Sequence, residues 1–168
     1  MLNISINGIQ QIQNTLHTLQ LKAQNLRPAL LEIGEDLTES TKQRFSTSTD
    51  PAGNKWKENS PVTLANYTHR VSGTISSDGL SMTKKGAKRW DSKKPLVDRG
   101  FLATSIHYQA QNQAVEIGSN LDQAAMMQFG GTKAQFSHLW GDIPARPYLG
   151  LSASDEQLIL NNLEDYLV

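Results

Sequence analysis

Few residue types in this sequence are spaced for chemistry. The four histidines, His17, His69, His107 and His138, are scattered, and none stands at the distance from a carboxylate that a metal motif requires. Each reads as an ordinary surface or strand histidine. Asp98, Glu116, Asp122 and Asp142 are the carboxylates a small hydrolase could pair for acid and base work, but their spacing gives no reason for them to converge. Gly130-Gly131-Thr132-Lys133 is too short and wrongly placed for a phosphate cradle, and there is no nucleophile elbow, P-loop or dinucleotide fingerprint. The expectation is no catalytic residue, no metal and no cofactor.

Two stretches could bind. Between residues 84 and 99, seven Lys and Arg face two Asp around Trp90. Lys84, Lys85, Lys88 and Arg89 could meet phosphates while Trp90 stacks on a base. This is the alternative function, a nucleic-acid-binding module; a solvated basic loop is preferred because the whole chain is neutral. In the second stretch, Gly130 and Gly131 follow Met127 and Phe129 as a helix stop. Pro144 and Pro147 then hold residues 143–148 extended around Arg146. A rod already stiff loses less entropy on docking. Phe129, Gly130, Gly131, Pro144, Arg146, Pro147 and Tyr148 are therefore the interface candidates, with an intramolecular salt bridge from Arg146 as the competing role.

The elements that must position these residues follow from periodicity. Leu2 to Ile6 alternates as a short strand. Ile9, Ile12, Leu16, Leu19, Ala23, Leu26, Leu30, Ile33 and Leu37 recur at three- and four-residue steps, which predicts helices over 9–26 and 28–45 with a break or kink at Pro28. Such stepping also suits a coiled-coil rod; a stripe covering a sheet in the same chain is preferred, because proline interrupts the seam. Glu32, Glu35, Asp36 and Glu39 read as a solvated acidic face. Trp56, after the turn at 50–53, and Phe101 are expected to anchor the core. Ser60-Pro61 opens a short helix to about residue 70. Residues 71–95 read as a long loop or insertion with a mobile segment. Ile106 and Tyr108, then Val115 and Ile117, predict an antiparallel hairpin. Residues 120–129 form a short helix capped by Asn120 or Asp122, and a last helix runs from about 154 to 167 with Ser154 and Gln157 as its capping box.

The fold expected is one α+β domain over residues 1–168: long amphipathic N-terminal helices packed on a small antiparallel sheet, with a C-terminal helix. A chain of 168 residues can bury a core without staples. Sixteen basic residues balance sixteen acidic ones, which disfavours a binder driven by overall charge. A mean hydropathy of −0.46 leaves room for a partner to cover part of the surface. The absence of cysteine fits manufacture in a reducing cytoplasm, and neither a membrane span nor a signal peptide is legible.

Five pieces occur in order: Pro51-x-Gly53-x-x-Trp56, Gly100-x-Leu102-x-x-Ser105-Ile106, Val115-x-Ile117-Gly118, Gln128-Phe129-Gly130-Gly131, and the run from Ile143 through Pro144, Arg146, Pro147 and Tyr148 to Ser152. Each is weak alone, but the ordered set resembles the phage virion morphogenesis family, which includes tail-completion proteins and the Mu-like prophage G protein. The resemblance implies a structural, non-enzymatic protein acting in tail completion or head-to-tail joining of a Mu-like phage or prophage. It also implies tail or neck proteins as partners, a homo-oligomeric ring, and location in the host cytoplasm during assembly and then in the virion.

Overall fold

The computed structural model describes residues 9–139 and 141–168, so the strand expected at residues 2–6 lies outside the described residues. Helices α1 (Ile9–Gln24) and α2 (Arg27–Thr47) are separated at Asn25 and Leu26, with Pro28 in the first turn of α2, where its missing N–H costs little. The expected break is therefore present. Ser48, in the left-handed conformation, closes α2 by donating its N–H to Arg44 O.

Strands β1 (Ile106–Ala110) and β2 (Val115–Ser119) form the antiparallel hairpin with Tyr108 opposite Ile117. Ile106, Tyr108, Ala110, Val115 and Ile117 share the inner face, as period-two alternation requires. Helix α2 lies across both strands and buries Ala29, Ile33, Leu37, Thr41, Arg44 and Phe45. Gly34 lets the helix approach: a Cβ there would stand 2.3 Å from Cδ2 of Tyr108. Helix α3 (Pro61–His69) starts at Ser60, whose side chain accepts from Thr63 N. Helix α5 (Phe101–Thr104) precedes β1, helix α6 (Ala124–Phe129) follows β2, and helix α7 (Ala153–Leu167) closes the chain against α2 and α1. The core is the cluster of Phe45, Trp56, Leu102, Ile106, Ala124 and Tyr148. The Phe45 ring meets Trp56 edge-on at 5.4 Å and Tyr148 at 5.3 Å.

Several expectations change. Of the two N-terminal helices only α2 covers the sheet: α1 runs beside α7, and none of its residues is buried. Trp56 is a core anchor, but Phe101 is 62% exposed. Gly100, with φ of 82°, starts a one-turn helix that turns Leu102 and Ile106 inward and leaves Phe101 outside. Residues 71–95 contain a turn bridged by Ile75 and Met82, and then helix α4 (Lys84–Asp91). Thr83 caps that helix by accepting from Gly86 N, and Gly86 packs so closely on Thr74 that a Cβ would stand 2.1 Å from Thr74 O. Helix α6 begins later than expected, at Ala124, with Gln123 at the N-cap making no side-chain hydrogen bond. The capping box of α7 is made by Ser152 and Asp155, not by Ser154 and Gln157.

Alanine suits a helix interior better than glycine by about 1 kcal/mol. Gly34→Ala should nonetheless lower stability by about 1–3 kcal/mol, because the ring of Tyr108 must move. A urea titration checks this, and adding Tyr108→Val should recover part of the loss.

Candidate functional site

Residues 143–150 form an extended strap across the molecule, and from Pro147 O to Leu149 O every backbone polar group along it has a partner within the chain. Ile143 pairs with Gly131 in both directions, N–H to O at 2.8 Å and O from N–H at 2.9 Å, and Arg146 N donates to Met127 O at 2.9 Å. The glycine stop and the proline rod are thus held face to face. Gly130, with φ of 71°, could not carry a side chain, since a Cβ would lie 2.6 Å from Ala145 N and 2.7 Å from Ile143 O.

Prolines cannot supply ladder donors, and from Pro147 to Gly150 side chains take the place of a neighbouring strand. Gln128 accepts from Tyr148 N at 2.9 Å and Leu149 N at 3.0 Å, and its amide nitrogen donates to Leu149 O at 3.0 Å. Trp56 Nε1 donates to Pro147 O at 2.7 Å. Arg44 Nη1 donates to Tyr148 O and Gly150 O, each at 2.8 Å, while Nη2 meets Asp155 Oδ2. Asp155 also accepts from Ser40 Oγ at 2.6 Å and from Ser152 N at 2.8 Å. Burial pushes the Asp155 carboxyl upward, but the hydrogen bonds from Ser40 and Ser152, with the Arg44 charge, prevail and hold it below the usual range.

Two interface candidates consequently point inward. Arg146 is 7% exposed and donates to Lys57 O at 2.7 Å and Glu58 O at 2.9 Å, fastening the strap to the loop after Trp56. It acts within the chain, through carbonyls in place of the expected carboxylate. Tyr148 is 1% exposed, its hydroxyl donating to Ala124 O at 3.1 Å. Pro147 is half-buried. What remains outside is a groove of about 560 Å³ between the glycine turn and the strap, lined by Phe129, Gly130, Gly131, Phe136, Ile143 and Pro144 among others. Phe129 stands at its edge, 77% exposed. The sequence did not single out Arg44 or Asp155, and it marked Gln128 only as the first residue of the Gln128-Phe129-Gly130-Gly131 piece; the signal for Arg44 was its place on the buried stripe after Ile33, Leu37 and Thr41.

The basic stretch is brought together on and after α4, but largely as internal ties. Arg89 Nε donates to Tyr67 O at 3.0 Å and its guanidinium lies 3.8 Å from the Tyr67 ring centre. Lys85 donates to Ser72 O at 2.8 Å, Lys94 to Ser46 O at 2.7 Å, and Lys93 to Val97 O. Trp90 and Arg89 are half-buried, and Lys84, Lys85 and Lys88 are exposed, Lys85 with its amine on Ser72 O. Asp98 pairs with Arg70, Asp142 accepts from Lys133 N at 2.8 Å, and Glu116 and Asp122 are exposed. Among the described residues no group of three or more His, Asp and Glu gathers as a metal site would, and no helix is long and apolar enough to cross a membrane.

In comparison with known families, residues 7–168 match the phage virion morphogenesis family. The chain belongs to that family. It is 28% identical over 166 residues, covering 99% of this chain and 96% of the relative, to the Mu-like prophage FluMu G protein 2 of Haemophilus influenzae. No solved structure matches. The virion morphogenesis match runs through the strap, the glycine turn and the hairpin alike, and it makes this a phage virion assembly protein of a structural family.

In this virion morphogenesis protein the strap's fastening depends on an ionised Asp155. A carboxyl held below its unfolded value, about 3.9, contributes stability that is present above that pH and is lost as pH falls through the folded value. Urea midpoints should therefore fall below about pH 4, and Asp155→Asn should flatten that slope. Arg44→Met should cost about 3–5 kcal/mol at neutral pH, since it strands a buried carboxylate and removes the donor to two strap carbonyls. Thermal and urea unfolding of both variants check these values.

Proposed function

We propose that this protein completes the tail or joins head to tail during assembly of a Mu-like phage or prophage particle, docking by shape and performing no turnover. The observation that carries it is Phe129, a large aromatic exposed on a turn whose backbone is pinned by Gly130, Gly131 and the strap. Buried aromatic anchors with a rigid backing supply most of the binding energy of protein interfaces. The groove beside it gives a partner's side chain a place to fit. The relative's printed name, a Mu-like prophage G protein, supports the same setting. Tail or neck proteins are the partners this reading requires, met in the host cytoplasm during assembly and retained in the virion. Presentation by several copies, as in a ring, would repeat the same face around the tail.

Negative-stain images of a lysate from phage lacking this gene should show full heads beside unjoined tails. Phe129→Ser should reduce joined particles roughly tenfold or more, as loss of an anchor does, while stability stays within about 0.5 kcal/mol because the ring is exposed. Joined, infective particles in the absence of the protein would overturn the proposal.

A further inference from the structure

Helix α1 presents its polar side to the rest of the chain and its apolar side to solvent. Ile9, Ile12, Leu16, Leu19 and Ala23 alternate at three- and four-residue steps and so share one stripe. Gln11, Thr15, Thr18 and Lys22 share another, roughly 100° round the helix. The polar stripe lies beside α7: it lines a groove with Leu167 and Val168, and Lys22 Nζ donates to Leu167 O at 3.4 Å and sits 5.9 Å from the Tyr166 ring centre. Among the described residues most of the apolar stripe is uncovered, with Ile9 50%, Ile12 57% and Leu16 60% exposed, while Leu19 is half-buried at the edge of the groove against α7. A helix of 16 residues is marginal in water unless packing covers its apolar face.

We propose that this stripe is a contact between two copies of the chain, each α1 pairing with the other across a two-fold axis. The three-four alternation has the 3.5-residue period of a seam between helices. Lys22 is the one Lys, Arg, Asp or Glu of α1, and it is engaged at α7, so identical helices meet without repulsion between those charges. The flanks of the stripe carry Gln13, Gln20 and Gln24, whose amides donate and accept and are therefore complementary to themselves. A charged partner would find nothing to pair with there. Sixteen residues span about 24 Å, so the buried area falls near the low end of the roughly 1,200–2,000 Å² of stable interfaces. The association is weak and depends on concentration. It stands whether or not the particle-joining role does.

Sedimentation equilibrium of the full chain should show an apparent mass rising from 18.6 kDa toward twice that value as concentration increases. Leu16→Glu should hold it at the monomer mass with an unchanged melting curve, since the side chain is exposed in the single chain. The sequence has no cysteine, so Leu16→Cys should form an oxidised dimer much faster than Gln113→Cys on the hairpin turn. A wild-type chain monomeric at hundreds of micromolar, a Leu16→Glu dimer, or equal cross-linking of the two cysteine variants would each overturn the proposal. So would a monomeric wild type in which Leu16→Glu still blocks particle assembly, which would assign the stripe to another virion protein.

Discussion

A half-buried extended segment that contains two prolines cannot run a full ladder with a neighbouring strand, and the polar groups it buries must be satisfied otherwise. Residues 143–150 meet this requirement with side chains from three directions: Arg44 from α2, Trp56 from the preceding turn, and Gln128 from α6. Each reaches backbone atoms, which fixes position without specifying strap side chains. Arg44 also ties the strap to the first turn of α7 through Asp155, whose carboxylate completes the helix's own cap. Helix α2, the strap and α7 are thus joined through one guanidinium. A neutral substitute of similar shape could not serve the two carbonyls and the carboxylate together.

This fastening explains why the outer face keeps a shape. The glycine turn is locked against the strap by paired backbone hydrogen bonds, and any side chain at Gly130 would push the two apart. Phe129 therefore projects from a backbone that has already lost its freedom, and a docking partner need not supply that ordering. Arg146, central to the sequence pattern, works one layer further in, holding the loop of Lys57 and Glu58 beneath the groove.

Local chemistry was legible in the sequence. The break at Pro28, the hairpin with its alternating faces, the Ser60 cap, the burial of Trp56, the glycine stop and the extended run around Arg146 all follow from dihedral limits and period counting. What depended on distant geometry was not. Period alone shows that α1 has an apolar stripe but not which way it faces, and in the folded chain its polar stripe turns to α7. Phe101 and Leu102 are adjacent apolar residues, and only the one-turn helix after Gly100 decides which of them enters the core. Gln128 opens one of the ordered pieces, but nothing local marks it as a partner of the strap, because Tyr148 and Leu149 lie about twenty residues on. The basic residues of α4 read as a solvated loop, with a surface for phosphate as the alternative, and two of them, Lys85 and Arg89, close carbonyls of their own chain.

Amide hydrogen exchange at Arg146, Tyr148 and Leu149 tests the pinned strap most directly, since their N–H groups bond to Met127 O and to Gln128 Oε1. These amides should exchange only through global unfolding, as slowly as those in the middle of α2. Exchange at the rate of an open loop, while α2 remains protected, would contradict a strap held by Arg44, Trp56 and Gln128.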